Sequence, residues 1–370
     1  MIRTLHLHSF KCFEDQPLTF GSLTLLSGLN GTGKTSVLQA LLLLRQSYQQ
    51  GLLPHKGLAL NGDWVRIGTA KDALFEGAQE ETIGFDLDFG EGRKGEWRFN
   101  YNREADVLDL ASPPVVEDVF TCSLFDDKFH YLQAERVGPR TAFDMSDFLV
   151  RQHRQLGTRG EYAAHFLAIF EREDIPHESL AHPKATSLQL RDQVEAWIGE
   201  VSPGTRLHVT PHTGMDLVNL EFSFVTGQQV SNPYRTTNVG FGITYTLPIL
   251  VALLSSASPT LLLLENPEAH LHPKGQVSIG DLMARAASCG IQVVVETHSD
   301  HVLNGIRLAV HAGKLAPDNV RLHFFDRKPQ NKQACAEVIS PRIDHNGRID
   351  RWPEGFFDEW DKSLDALLEP

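Results

Sequence analysis

The 370-residue sequence has no pair of cysteines at metal-ligand or redox spacing. Its four, Cys12, Cys122, Cys289 and Cys335, lie far apart, which excludes a CxxC motif and predicts reduced thiols in a cytoplasmic protein. Positive charge is scarce: 34 Lys and Arg stand against 47 Asp and Glu, a formal net charge of −13. A surface coated for non-specific nucleic-acid binding is thereby excluded, although a local basic groove is not. The opening MIRTLHLHSFKCFED has no continuous apolar stretch, so no secretory signal is expected. The most apolar segment, Ile243 to Leu264, contains Pro248 and is cut by SSASP. A buried helix followed by a buried strand fits it better than a membrane span of about 20 residues. Fixed-period repeats, low-complexity stretches, a Ser/Gly-rich linker and long heptad runs are all missing, which excludes solenoids and a coiled-coil arm.

What is present is enough apolar material for a sizeable core, 41% of residues. TLHLHSF alternates, with Leu5 and Leu7 facing one way, and predicts a hairpin leading into the short apolar strand SLTLLSG. A glycine-rich turn and a helix over Lys34–Gln46 follow. TIGFDLDF and EWRFNYN alternate around the turn-forming GEGRKG, so residues 50–130 read as β-rich with a hairpin. FHYLQAERVGPR begins as a strand. Helical periodicity then dominates in GEYAAHFLAIFERE and SLQLRDQVEAWIGEV, and LHVTPHTGMDLVNLEFSFV returns to strand alternation. From Gly240 onward helix and strand alternate through TLLLLE and IQVVVETHS, the pattern of a mostly parallel sheet with covering helices.

Three stretches carry chemistry. GLNGTGKT, Gly28 to Thr35, matches G-x-x-x-x-G-K-[ST] between an apolar strand and an apolar helix. Gly28, Gly31 and Gly33 let the chain turn tightly, so that the amides of Asn30, Thr32 and Ser36 and their neighbours can point at phosphate oxygens. The helix N-terminus adds partial positive charge. Lys34 is expected to reach the β- and γ-phosphates of ATP, and Thr35 to offer its hydroxyl to Mg²⁺. In LLLLENPEAHLHP, an apolar strand ends at Glu265, placed to bind the magnesium shell directly or through water. In VVVETHSDH, His298 stands at the end of a third apolar strand and could hydrogen-bond a γ-phosphate. The adjacent Ser, His and Asp letters there do not make a hydrolase triad, which needs a geometry that neighbours rarely supply. His270 and His272 have i, i+2 spacing, but no third zinc ligand accompanies them, and a loop role is the better reading.

The P-loop, the glycine-containing helix start TNVGFGITYTLPIL, ENPEAHLHP and ETHSDH occur in this order. Together they resemble the ABC-type ATPase heads of the SMC and OLD (overcoming lysogenization defect) group. More narrowly, they resemble bacterial AAA-type ATPases associated with anti-phage defence loci. LHLHSFKCFEDQPLTF, YLQAERVGPR and GRIDRWPEGFFDEWDKSLDALL are similar to that subgroup too, so the resemblance touches both ends. It implies a P-loop NTPase fold of α/β class, with a mostly parallel central sheet, an antiparallel β subdomain and an inserted helical region. The expected division of 1–370 is a P-loop lobe over 1–50 with a β-rich extension to 130, a largely helical insert over 131–236, a lobe over 237–330 and a C-terminal extension over 331–370. In that group two heads dimerise head-to-tail around two ATPs. The resemblance places Asn238, Val239, Gly240, Phe241 and Gly242 at the signature position, His298 at the switch histidine and Gln133 at the metal-contacting Q-loop.

Two departures from the group matter. ABC heads commonly read hhhhDEP, and this sequence reads LLLLENP. Glu265 takes the metal-site position, and Asn266 takes that of the general base, where an amide cannot accept a proton from water near neutral pH. Glu268, two residues on, is a candidate substitute. Slow hydrolysis with a long-lived ATP-bound dimer is favoured over ordinary turnover through Glu268.

Arg136, Arg140, Arg151, Arg154 and Arg159 form the best basic stretch, readable as phosphate contacts to DNA or RNA or as a solvated face paired with Glu135, Asp144 and Asp147. Trp352, Phe356, Phe357 and Trp360 are readable as a partner-docking cluster or, more commonly, as packing against the chain's own sheet. The functions expected are a nucleotide-gated sensor switching a separately encoded effector such as a nuclease, a DNA-repair or DNA-maintenance ATPase, or an assembly scaffold. No membrane partner is expected.

Overall fold

The computed structural model describes residues 1–330 and 333–368; side chains of residues 117, 328–335 and 361 lie outside the description, Cys335 among them. In chain order the elements that matter begin with β1 (Thr4–Phe10), β2 (Phe13–Thr19), β3 (Leu23–Gly28) and α1 (Lys34–Gln49). Next come β4 (Thr82–Asp88), β5 (Lys94–Asn100), β6 (Phe129–Leu132), α2 (Ala163–Phe170), α3 (Leu190–Val201), β7 (Thr205–His212) and β8 (Leu217–Thr226). Then follow α4 (Phe241–Ser255), β9 (Thr260–Glu265), α5 (Pro273–Ser288), β10 (Ile291–Glu296) and α6 (Asp300–His311). The chain ends with β11 (Val320–Gln330), β12 (Gln333–Ile339) and α7 (Glu359–Leu368). They fall into two compact units, one of residues 1–126, 318–344 and 349–370, the other of 127–317 and 345–348.

In the first unit, β1 pairs antiparallel with both β2 and β4, and β4 with β5. The two-residue period of the sequence sets the register. Leu5, Leu7 and Phe10 face Leu18, Leu87 and Phe85 on the buried side, and His6 and His8 fall on the other. The hairpin expected around GEGRKG forms, with Phe85 opposite Trp97. β3 runs parallel to β11, and β11 antiparallel to β12. Helix α1 runs a turn beyond the expected Gln46 and is buried nearly all round, which is why VLQALLLL carries no polar stripe. The C-terminal aromatics divide. Phe356 is fully buried against Phe324 at 5.5 Å, and Trp352 and Trp360 are exposed.

In the second unit, β9 is flanked in parallel by β6 and β10. All six residues of β9 and all six of β10 are buried, which accounts for their unbroken aliphatic runs. Ile243 to Leu264 resolves into α4, which accommodates Pro248, and β9; no described helix is long and apolar enough to cross a membrane. The segment 131–236 differs from the largely helical insert expected. It holds α2 and α3 together with an antiparallel sheet built on β7 and β8, where Leu207 faces Phe222 and Val209 faces Leu220. The period-two alternation of LHV and LVNLEFSF outweighs the helical segments before it.

Candidate nucleotide-binding site

In the first unit the P-loop links β3 to α1 through three glycines with positive φ: Gly28 at 138°, Gly31 at 76° and Gly33 at 109°. Two of them are needed for space as well. A Cβ on Gly28 would stand 2.1 Å from the carbonyl oxygen of Phe325, and one on Gly33 would stand 2.5 Å from the Cys12 sulfur. The loop is therefore wrapped tightly against β11 and the β1–β2 turn, and Gly31 faces open space. Lys34 is 3% exposed, and its Nζ donates to the carbonyls of Gly28 (3.0 Å) and Leu29 (2.7 Å), which holds the ammonium over the loop. Thr32 closes the turn by donating to Leu29 at 2.8 Å. No side chain caps α1 and no acid enters its first turn, so its amides and positive dipole end suit a phosphate. A cavity of about 660 Å³ lies in the same unit, lined by Lys11, Cys12, Lys71, Asp72, Tyr101 and Arg327 among others. Burial lowers the Lys11 ammonium and raises the Cys12 thiol relative to their ordinary values.

In the second unit the ends of β6, β9 and β10 gather a polar cluster under a buried arginine. Glu265, 8% exposed, accepts from the Tyr131 hydroxyl at 2.8 Å and from the Ala134 amide at 3.0 Å. Burial first, and then the Glu265 charge, push the Tyr131 hydroxyl far above its ordinary value, so it is a fixed donor. Arg136 is 1% exposed and donates to the carbonyls of Gln133, Tyr245, Glu265 and Asn266. Burial lowers its guanidinium to about 10, with Glu268 the leading opposing charge, so it stays charged at neutral pH. Asn266 adopts φ 44°, and its amide donates to the Glu296 carbonyl at 2.8 Å. Its Oδ1 is buried without a hydrogen bond among the described residues.

Glu268 does not stand loose beside Asn266. One oxygen accepts from the Thr297 hydroxyl at 2.7 Å and the other from the His298 amide at 2.8 Å. Thr297 in turn receives the Ser299 amide at 3.1 Å, and Ser299 caps α6. The carboxylate thus grips the loop of Thr297 and His298, and the His298 side chain is exposed. Glu265, Asn266, Glu268, Gln133 and His298 are brought together within this unit. Sequence reasoning missed Tyr131, Ala134, Thr297 and Glu296. Glu296 carried a signal, an acid closing a strand as apolar as the one that ends at Glu265.

The signature-position loop precedes α4. Gly240, with ordinary negative φ, is its N-cap, and Asn238, Gly240 and Phe241 are exposed. Gly242 is required by contact, because a Cβ there would stand 2.6 Å from the His270 carbonyl oxygen. His270 packs on Tyr245 at 4.6 Å, and His272 caps α5. The arginine stretch breaks up. Arg136 is an interior staple and no phosphate contact, because its donors point at carbonyls. Arg151, Arg154 and Arg159 pair with Asp147, Glu173 and Glu135 at 2.6, 3.0 and 3.0 Å. Arg140 is exposed, with its backbone tied to the Thr236 hydroxyl.

Within the second unit the carboxylates are oxygen donors of the kind a hard divalent cation takes, and within the first the threonine hydroxyl of the P-loop is another. A sequence-family model described as "AAA domain, putative AbiEii toxin, Type IV TA system" matches residues 23–304. A second, described as "Protein of unknown function (DUF3696)", matches residues 315–367. Among solved structures, an Smc head bound to the C-winged helix domain of ScpA is similar at 14% identity and TM-score 0.57, over 92% of this chain and 98% of that one. An Smc head domain with an extended coiled coil, bound to the C-terminal domain of ScpA from Pyrococcus furiosus, is similar at 13% identity and TM-score 0.54, over 99% of each chain. At this identity the likeness shows the fold, that of an SMC-head P-loop ATPase. No curated protein matches.

Proposed function

The chain belongs to the family of AAA domains described as putative AbiEii toxin, Type IV TA system, and from that premise we propose that it is a slow ATPase used as a nucleotide-gated switch. The P-loop residues Gly28 to Ser36 bind the triphosphate, with Lys34 on the β- and γ-phosphates. Thr35 in the first unit and Glu265 in the second are each assigned as magnesium ligands by the motifs that carry them, and the cation, when bound, would neutralise phosphate charge. Gln133 adjoins the Ala134 amide that fixes Glu265, and it belongs to the same shell. His298 reads the γ-phosphate from a loop that Glu268 grips. Asn238 to Gly242, exposed before α4, meet the nucleotide of a second copy in a head-to-tail dimer.

The observation that carries this reading is the residue after Glu265. Asn266 offers an amide where turnover needs a proton acceptor, and both oxygens of Glu268 are engaged with Thr297 and His298. An ATP-bound dimer that outlives many encounters suits a sensor or scaffold better than a motor. The role we assign is in bacterial defence, switching a separately encoded effector such as a nuclease; the family description, a putative toxin of a type IV TA system, is compatible with it. The alternative, direct action on DNA or RNA, draws little support from the arginine stretch, since four of its five members are buried or paired with acids.

The test is mass measurement of the purified chain with ATP and with ADP, together with co-purification from its native operon. ATP-dependent dimers that persist over minutes, carrying a second gene product, are expected. A chain that stays monomeric with ATP, or turns over rapidly as a monomer, overturns the reading.

A further inference from the structure

We propose that Glu296 is the second carboxylate of the divalent-cation site, standing one strand away from the position where the sequence has Asn266. The inference rests on the reading of Glu265 as a magnesium-site residue and extends it to a residue that no motif assigns.

The register of the sheet carries it. Glu265 and Glu296 are direct partners in the parallel pair β9–β10, and each is the last residue of its strand. Residues paired in register on neighbouring parallel strands project to the same face, and the strands lie about 4.8 Å apart. Whatever space Glu265 serves, Glu296 lines as well. Both residues are withdrawn from water, at 8% and 7% exposure. Two carboxylates this close and this buried repel one another unless a positive charge stands between or beside them.

Arg136 supplies part of that charge, but its four hydrogen bonds go to carbonyl oxygens and none to a carboxylate. A divalent cation held by the two carboxylates and by nucleotide phosphates completes the balance with the oxygen donors magnesium prefers. The backbone holds the pair in place. The Asn266 amide donates to the Glu296 carbonyl at 2.8 Å, so the register persists one residue beyond the strand end. Tyr131 and Ala134 fix the Glu265 side chain. Position 266 therefore gives up a carboxylate, and position 296 adds one on the next strand.

The test uses Mn²⁺ as a spectroscopic stand-in for magnesium, titrated by electron paramagnetic resonance into the full chain with ADP. A fluorescent ATP analogue in EDTA reports nucleotide binding without metal. Glu296→Gln and Glu265→Gln are each expected to weaken Mn²⁺ binding about tenfold or more, with metal-free nucleotide affinity unchanged. Should the glutamine variant fail to fold, Glu296→Asp keeps the charge on a shorter arm and is expected to weaken Mn²⁺ binding to a lesser degree. Unchanged Mn²⁺ affinity in the variants overturns the proposal, and so does lost turnover at full Mn²⁺ affinity, which would make Glu296 a proton acceptor instead. Absence of nucleotide binding by the wild-type chain is a separate result and overturns the function itself.

Discussion

Arg136 donates to the carbonyl oxygens of both Glu265, at 2.6 Å, and Asn266, at 2.7 Å. The bend that joins Glu265 to Asn266 is therefore pinned by one guanidinium. The same side chain ties down Gln133 and Tyr245, so β6, β9 and α4 all converge on it. Its planar fork of donors is what a cluster of inward carbonyls requires, and lysine does not supply it.

Arg136→Ala leaves four carbonyls without their donor. We expect it to destabilise the second unit by about 3 kcal/mol or more, since each unsatisfied buried acceptor costs about 1–3 kcal/mol. Arg136→Lys, with a single point of donation, should recover only part of that loss. Chemical denaturation followed by tryptophan fluorescence checks both, and a variant as stable as the wild type would remove Arg136 from this role.

Asp86 sets a pH dependence in the first unit. Burial raises its carboxyl, but hydrogen bonds from His8 and Arg98 outweigh burial and hold it down at about 2, against an ordinary value of 3.8. A depressed carboxyl contributes stability that is complete above 3.8 and lost as pH falls through about 2. The difference corresponds to about 2 kcal/mol near neutral pH. Asp86→Asn should therefore lower stability by about that amount at neutral pH. The gap between variant and wild type should close on acidification below the folded value. A constant gap across that range would show that the network is not titrating.

How much of this was legible in the sequence depends on whether the cause was local. The glycines of GLNGTGKT, the alternation of TIGFDLDF and the aliphatic runs before Glu265 and Glu296 record demands of their own backbone, and the elements formed where those patterns place them. Arg136 was not legible as a staple, because its partners lie over a hundred residues away in sequence at Tyr245, Glu265 and Asn266. In sequence it is simply another arginine before a Gly-Pro turn. Glu268 was legible as a nearby carboxylate, but its grip on Thr297 and His298 depends on how α5 and β10 return the chain. Glu296 gained meaning only from strand register, which no single stretch encodes.

Lys34→Ala should abolish nucleotide binding and any ATP-driven assembly. The ammonium is 3% exposed and already held over the P-loop by the carbonyls of Gly28 and Leu29, so little remains for a phosphate once it is gone. Isothermal titration with ATP measures it. Retained affinity would undo the P-loop assignment.

Asn266 and Glu268 separate two explanations of slow turnover. Asn266→Glu should speed hydrolysis if a missing proton acceptor limits it, by a factor on the order of 10² as for a positioned general base. Glu268→Gln should leave nucleotide binding intact and slow turnover indirectly, because one of the two hydrogen bonds that fix the Thr297–His298 loop needs a carboxylate oxygen. Steady-state phosphate release gives both rates. An unchanged rate in Asn266→Glu would move the slow step away from chemistry, and an unchanged rate in Glu268→Gln would leave the loop grip without consequence.

The two glycines that flank Phe241 offer a control for the dimer. A Cβ on Gly242 would meet the His270 carbonyl at 2.6 Å, backbone against which nothing can yield cheaply. Gly242→Ala should accordingly lower the melting temperature by disturbing the α4 start. Gly240 has negative φ, and its Cβ would meet nothing within 4 Å, so Gly240→Ala should fold with wild-type stability. If the exposed loop before α4 receives a second copy's nucleotide, that added methyl stands where backbone amides must approach phosphate. Gly240→Ala should then bind ATP normally as a monomer yet fail to dimerise with it, as read by light scattering. A Gly240→Ala chain that dimerises like the wild type would place the interface elsewhere on the molecule.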